Sequence, residues 1–485
     1  MIFDEVHCIG QAEDGLIWEQ LLLMAPCPIL ALSATIGNPD EFSAWLTSTQ
    51  KALGHNLTMV QHPHRYSDLR KFLYTPADKV EFQGLPESRA FAKLGLDDSD
   101  AFTFMHPVTS LVNRSRGIPH DLALEARDCL TLWQTLSKHQ TAKYPLGKSL
   151  DPKVALPTIV RKLDIIKWEN ALKLVLRDWM ADRDSPFEAV VKDLSTVLKK
   201  AKQSLHKAAA IDTDDEEEVG DDEEPEDSYD AQSILPMLVK LHEQDALPGI
   251  IFNYDRGLCE RICETLMNQL EKAETKWKKT SPKWQSDLKK WEEYKAIMAK
   301  ANKRNPPKLS KKKGNDEDGL TKDDIARDGA NNEANPWASF DPDRPVDRFH
   351  FADSKKVSRE ELDGYERELV RRDVSQWLIR AMRRGIGVHH AGLNRKYRQV
   401  CEMLFRKGYL RVVVATGTLA LGINMPCKTV IFSGDSVFLT ALNYRQAAGR
   451  AGRRGFDMLG NVVFHGISLS KIHRLISSRL PDING

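Results

Sequence analysis

Ten residues near the C-terminus, Gln446-Ala-Ala-Gly-Arg-Ala-Gly-Arg-Arg-Gly455, hold three arginines (Arg450, Arg453, Arg454) and three glycines. Gln446, Arg450 and Arg453 fall three or four residues apart, the spacing that lines one face of a helical turn. The small residues between them permit close approach of a ligand. Guanidinium forks are planar, permanently charged and matched to phosphate oxygens. The stretch therefore reads as a phosphate-facing arginine pair, Arg450 and Arg453, rather than a solvated basic loop. At the other end of the chain, Met1-Ile-Phe3 leads into Asp4-Glu5-Val6-His7. A short apolar strand ending in two carboxylates is what a nucleotide-hydrolysing core needs. The first carboxylate holds Mg²⁺ through water and the second polarises the attacking water. An acidic pair can equally cap a following helix, so its weight comes from sharing a chain with the arginines.

The elements that must position these residues follow from apolar patterning. Pro28–Leu32 is a short buried-strand pattern that delivers Ser33-Ala34-Thr35, two small hydroxyls able to bond the carboxylate segment. Asn38-Pro39-Asp40-Glu41 has the form of a helix start, with Asn38 as N-cap, proline at the first helical position and Glu41 three residues on. Strands are expected at 247–254, 411–416, 429–433 and 461–464, with Leu69–Tyr74 as a strand crossing between domains. A helix is expected at Leu442–Arg450. Strands and helices alternate as in a parallel α/β sheet. Residues 120–140 and 158–206 carry helix-like apolar spacing without a catalytic constellation.

Two segments stand apart. Residues 212–230 are mostly Asp and Glu with no basic residue, a composition that cannot offset its ordering entropy and reads as a disordered linker. Residues 271–313 hold fourteen lysines and one arginine against five acids, with Trp277, Trp284 and Trp291 seven residues apart. Ser281-Pro282 should restart a helix there and Pro306-Pro307 end it, with Trp284, Leu288, Trp291 and Met298 on one face. The segment reads either as an amphipathic helix packed on the body with its lysines in water, or as a tryptophan and lysine contact for nucleic acid.

Composition bounds the rest. The 485 residues allow two to four domains, and 41% apolar content supports ordinary cores. With seventy basic and sixty-nine acidic residues, any nucleic-acid surface must be local. Seven cysteines without metal-type or pairing pattern suggest a reducing compartment. The adjacent His389 and His390 point apart and have no third ligand at suitable spacing, which argues against metal. No membrane-length apolar run or signal peptide is present. A soluble, cytoplasmic protein is the expectation.

The arginine stretch resembles motif VI (QxxGRxxR) of superfamily 2 helicases, in the QxxGRAGRRG form of superkiller-type DExH-box RNA helicases. Asp4, Glu5 and His7 match the DExH motif II, and Ser33-Ala34-Thr35 matches motif III. The segment Leu247–Arg256 is similar to motif IV, Ile386–Leu393 to the segment before motif V, and Thr416 through Gly422, Asn424 and Pro426 to motif V. The stretch Phe104–Leu111 and Leu122–Leu132 resembles the inter-domain insertion of the interferon-induced antiviral DExD/H-box helicases and their fungal relatives.

The resemblance implies an α/β fold of two RecA-like parallel-sheet domains with helical insertions, the first domain truncated at its N-terminus. It places a first-domain part at 1–65, a mostly helical insertion at 66–206, an acidic linker at 207–232 and the second domain at 233–485, interrupted at 271–350. It implies an ATP-dependent RNA helicase using ATP and Mg²⁺. Asp4, Glu5, His7, Gln446, Arg450 and Arg453 would form the catalytic set, with Asp4 on Mg²⁺ through water and Ser33 and Thr35 as coupling residues. Gly422 and Asn424 would face the nucleotide, while Arg256, Gly392, Thr416 and Thr418 would contact RNA. RNA is preferred to DNA on resemblance alone, and the insertions are candidate contacts for protein partners. The sequence has no G-x-x-x-x-G-K-[ST], and its DExH motif opens the chain. The expectation is a fragment of a larger helicase, inactive alone without its P-loop, with a non-catalytic RNA-binding adaptor as the alternative.

Overall fold

A computed structural model describes residues 1–10, 15–34, 36–62, 64–76, 81–86, 96–112, 114–119, 121–195, 231–304, 337, 340–420, 425–480, 482 and 483. The acidic run at 212–230, the proline pair Pro306-Pro307 and residues 314–336, 338 and 339 lie outside the described residues. Among the described residues the strands are β1 Ile2–Phe3, β2 Leu30–Ala31, β3 Asp68–Tyr74, β4 Phe102–Met105, β5 Gly249–Phe252, β6 Ile386–His389, β7 Val412–Ala415, β8 Thr429–Ser433 and β9 Leu459–His465. Seven of them form one sheet in the order β4-β3-β9-β8-β5-β7-β6, and β1 and β2 pair in a small parallel sheet of their own. All neighbours in the large sheet are parallel except β3 and β4. β5 and β7, the runs Gly-Ile-Ile-Phe and Val-Val-Val-Ala, are buried at every position. That is the signature of a parallel sheet covered by helices on both faces.

Two compact units divide the chain: Met1–Val80, Pro86–Leu266 and Phe351–Gly485 form one, and Glu81–Leu85 with Met267–His350 form the other. Within the first, Phe3, Val6, Leu22, Phe42 and Leu46 make a small core around the carboxylate segment, with Ile483 added from the far end of the chain. A second core belongs to the helices Ala126–His139, Lys162–Ala181 and Phe187–Leu194, where Leu132, Leu136, Trp168, Leu172, Leu176 and Phe187 meet. The crossing strand expected at Leu69–Tyr74 is β3, which lies along β9 from Asp68↔Leu459 to Leu73↔Phe464.

The Asn38-Pro-Asp-Glu signature starts the helix Pro39–Ala52, but the Asn38 side chain makes no capping bond. Its Nδ2 donates to the Ile483 carbonyl at 3.1 Å, and its Oδ1 accepts from the Ile483 amide at 2.8 Å. A tertiary partner satisfying both ends of the amide displaces the local cap. Ser358 does cap its helix, Arg359–Val370, accepting from the Glu361 amide at 3.2 Å.

In the second unit a new helix, Pro282–Arg304, begins at Ser281-Pro282. Trp277 and Trp284 pack at 6.1 Å, and Trp284 and Trp291 both meet Phe340, at 5.4 and 6.1 Å. Among the described residues no helix is long and apolar enough to cross a membrane.

Candidate nucleotide and nucleic-acid sites

Parallel pairing of β1 with β2 brings Asp4-Glu5 and Ser33 to neighbouring strand ends. Glu5 sits at φ +55°, a left-handed conformation uncommon outside glycine. The chain turns there into the 3₁₀ segment Val6–Gly10, which carries His7 inward until only 1% of it is exposed. The imidazole is held at both nitrogens. Gln446 Nε2 lies 2.8 Å from His7 Nε2, and Ser33 Oγ lies 3.0 Å from His7 Nδ1. An amide nitrogen can only donate, so His7 Nε2 accepts and the ring proton resides on Nδ1. Burial pushes the His7 pKa below its ordinary 6.5, against the pull of the Glu5 carboxylate, whose Oε2 is 3.4 Å from Nδ1. The ring is therefore neutral at pH 7. Gln446 and His7 are 439 residues apart in sequence.

At the arginine end, Thr440 caps the helix Ala441–Ala448 by accepting from the Asn443 amide at 3.3 Å. The helix stops before the arginines, so Gln446, Arg450 and Arg453 do not share one helical face. The helix closes at Gly449 and the next residues bridge to Cys427; beyond them Gly452 and Gly455 adopt φ +85° and +84°, and the chain turns at both. Between them and the helix, the Arg450 carbonyl accepts from the Cys427 amide at 3.0 Å, and the Gly452 amide donates to the Cys427 carbonyl at 2.8 Å. Gly452 is also a point of close approach, since a Cβ there would lie 2.6 Å from Ser67 Cβ.

Arg450 is half-buried, and its pKa is lowered by that burial while the Glu5 carboxylate pulls the other way. Its charge thus lies within electrostatic reach of the carboxylate segment. Arg453 is differently engaged. Its Nε and Nη2 donate to Asp457 at 2.7 and 2.9 Å, and its amide donates to the same carboxylate at 3.0 Å. Those bonds raise the Arg453 pKa. Arg454 is exposed. Sequence reasoning missed Arg65, whose Nη2 donates to the carbonyls of Ala451 at 2.8 Å and Gly449 at 3.3 Å. No local signal marks that arginine, because its acceptors are backbone atoms 384 and 386 residues away.

The ends of β5, β6 and β7 make a second convergence. The Asn253 amide donates to the Ala415 carbonyl, and the Thr416 amide donates to the His389 carbonyl. Exposed Arg256 follows β5, and its Cδ lies 4.0 Å from where a Cβ on Gly392 would sit. Thr416 is buried, 6% exposed. Gly417 lies against the Tyr254 ring, with room for no side chain, since a Cβ would meet Cε1 at 2.6 Å. Thr35, Gly422, Asn424 and the side chain of Thr418 lie outside the described residues. His389 and His390 bond separately to Glu402 and Glu260, at 2.8 and 2.9 Å. Among the described residues no group of His, Cys, Asp and Glu could hold a metal as a cluster of three. Carboxyl ends of parallel strands are where open α/β sheets bind ligands, and both convergences lie at such ends.

Residues 365–455 match the helicase conserved C-terminal domain. The whole chain aligns with an uncharacterized helicase of Caenorhabditis elegans at 32% identity and with the human probable ATP-dependent RNA helicase DDX60-like at 31%. In both cases it covers 28% of the relative's length. Mouse superkiller complex protein 2 is 24% identical over 96% of the chain and 24% of its own length.

Proposed function

The chain belongs to the superfamily 2 DExH-box RNA helicase family, and from that premise we propose that it serves ATP-driven movement or strand separation on RNA. The observation that carries this reading is the chain of side chains Ser33–His7–Gln446. It joins the carboxylate segment to the arginine segment through one buried, neutral ring, and a coupled ATPase needs those two segments in register. Asp4 and Glu5 provide hard oxygen donors and Arg450 a cation within electrostatic reach, a set whose chemistry fits a magnesium nucleotide. When bound, the ion would neutralise phosphate charge, with Asp4 holding it through water. Glu5 would orient and polarise the attacking water, and Arg450 would stabilise charge developing on the transferred phosphoryl group. Arg453 takes up a phosphate only by exchanging the Asp457 carboxylate for it. RNA would run along Arg256, Gly392 and the Thr416–Thr418 turn, held by its backbone rather than read by sequence. A cytoplasmic site of action accords with this role.

The test is RNA-stimulated ATP hydrolysis by the full-length gene product. Glu5→Gln should abolish stimulation, and Arg450→Lys should lower kcat by roughly 10³-fold or more, as for arginines acting on a transferred phosphoryl group. RNA affinity without nucleotide should stay within about twofold. Hydrolysis that survives Glu5→Gln would sink the proposal.

A further inference from the structure

The tryptophans of the second unit are accounted for by packing. Trp277, Trp284 and Trp291 are half-buried against one another and Phe340, and Lys278 and Lys295 lie over the rings of Trp284 and Trp291 at 4.6 and 4.4 Å. They are not free platforms for bases. The remaining lysines are distributed differently along the two helices. On the helix Arg256–Thr280, Asn268, Lys272, Thr275, Lys276 and Lys279 recur at intervals that keep them on one face. They line a shallow groove of about 510 Å³ in which, among the described residues, Glu271 is the single carboxylate. Lys272, Lys276 and Lys279 are all exposed. One further acid reaches the face: Glu81 Oε1 lies 2.7 Å from Lys276 Nζ, in a pair whose two side chains are each 66% exposed. So exposed a pair is held weakly and yields to a stronger anion. On the helix Pro282–Arg304, by contrast, exposed Lys283, Lys289 and Lys290 have Asp287, Glu292 and Glu293 three or four residues away, on their own faces.

We propose that the Lys272–Lys276–Lys279 face binds the sugar–phosphate backbone of RNA without reading its bases. At about 1.5 Å rise per residue the three ammonium groups span roughly 10 Å of helix, the reach of about three consecutive phosphates of one strand. Lysine is suited to this, as a point charge on a mobile stem that follows an irregular backbone. Asn268 and Thr275 add neutral donors between the charges. The assignment rests on the reading of the chain as an RNA-acting protein and adds to it a contact in a unit separate from the one carrying the motifs.

The experiment compares the full chain with two variants of equal charge change, K272Q/K276Q/K279Q and K283Q/K289Q/K290Q. Glutamine has nearly the helix propensity of lysine, so both should keep their helices, which circular dichroism verifies. Binding to a single-stranded RNA 20-mer is followed by fluorescence anisotropy from 50 to 200 mM salt. Releasing about 0.7 counterion per neutralised phosphate, the first variant should flatten the slope of log K against log salt by about 2. Between those salts the wild type should then lose about 15- to 20-fold more affinity than this variant. The second variant should flatten the slope by less than about 1. Equal flattening in both variants, or none in the first, overturns the assignment while leaving RNA binding intact. A wild-type chain that fails to bind the RNA overturns the underlying reading as well.

Discussion

Removing either end of the Gln446–His7 bond gives a direct measure of whether the two motif segments are joined in solution. Gln446→Ala leaves His7 Nε2 buried without its donor, a loss of about 1–3 kcal/mol. His7→Ala costs at least as much, because the ring is 1% exposed and its removal also takes away the contact with Ser33 Oγ. In the double variant the shared bond is lost only once. The two single losses should therefore exceed the double loss by about 0.5–1.5 kcal/mol, the net worth of a neutral hydrogen bond. Denaturant unfolding of all four proteins at pH 7.5 supplies the cycle. Its pH dependence follows from the His7 pKa, which burial holds below 6.5. With the folded-state pKa depressed, the stabilisation is fully present above the unfolded value and is lost as pH falls through the folded one. Protonated Nε2 is a donor facing a donor, so the coupling should shrink in acid. Additivity within about 0.3 kcal/mol at pH 7.5 would refute the bridge and, with it, the observation carrying the functional proposal.

Two further outcomes test the frame around the site. Gly452→Ala should cost about 2–5 kcal/mol, combining a left-handed alanine with overlap on Ser67, whereas Gly455→Ala, at nearly the same φ but in open space, should cost only about 1–2 kcal/mol. Equal shifts in unfolding midpoint would show that the contact with Ser67 is not formed. His106 is buried, its Nδ1 accepting from the Val108 amide at 3.2 Å, and burial lowers its pKa to about 4. Relative to His106→Gln, the wild type should lose about 2 kcal/mol of stability on going from pH 7.5 to pH 5 and about 3 kcal/mol by pH 4. Parallel unfolding curves for the two proteins across that range would contradict this burial.

What could be read from sequence was whatever is decided within a few residues. Thr429–Ser433 is a strand because five residues in a row suit a surface buried on both faces, and the structure gives those bounds. Pro282 restarts a helix because its own ring sets the geometry. Pro28–Leu32, expected as a buried strand, is exposed at Leu30 and Leu32; the other failures are positions where a distant atom outbids a near one. Asn38 has every mark of a cap, yet its amide is drawn to Ile483. The regular spacing of Gln446, Arg450 and Arg453 suggested one helical face, but the helix ends at Ala448, the Arg450 carbonyl is drawn to the Cys427 amide, and the chain turns again at Gly452 and Gly455. Asp457 closes the fork of Arg453, four residues on, in a geometry that only the turn creates. The hydrogen bond from Gln446 to His7 is a juxtaposition that no local pattern encodes.

The pairing of β3 with β9 also dictates an order of events on the ribosome. Ser67 and its acceptor, the Asp457 carbonyl, are 390 residues apart, so the strand that needs β9 as its neighbour is made long before β9 exists. At about 5–20 residues per second that interval is roughly 20–80 s. Throughout it one edge of the β3–β4 hairpin has no native partner and is open to a neighbouring nascent chain. The strand's own composition limits the hazard: Asp68, Arg70 and Lys71 place three charges in its first four residues, and charged residues of this kind act as gatekeepers against edge-to-edge association. The same residues that later pair with β9 therefore first serve to keep the unfinished chain apart from its neighbours.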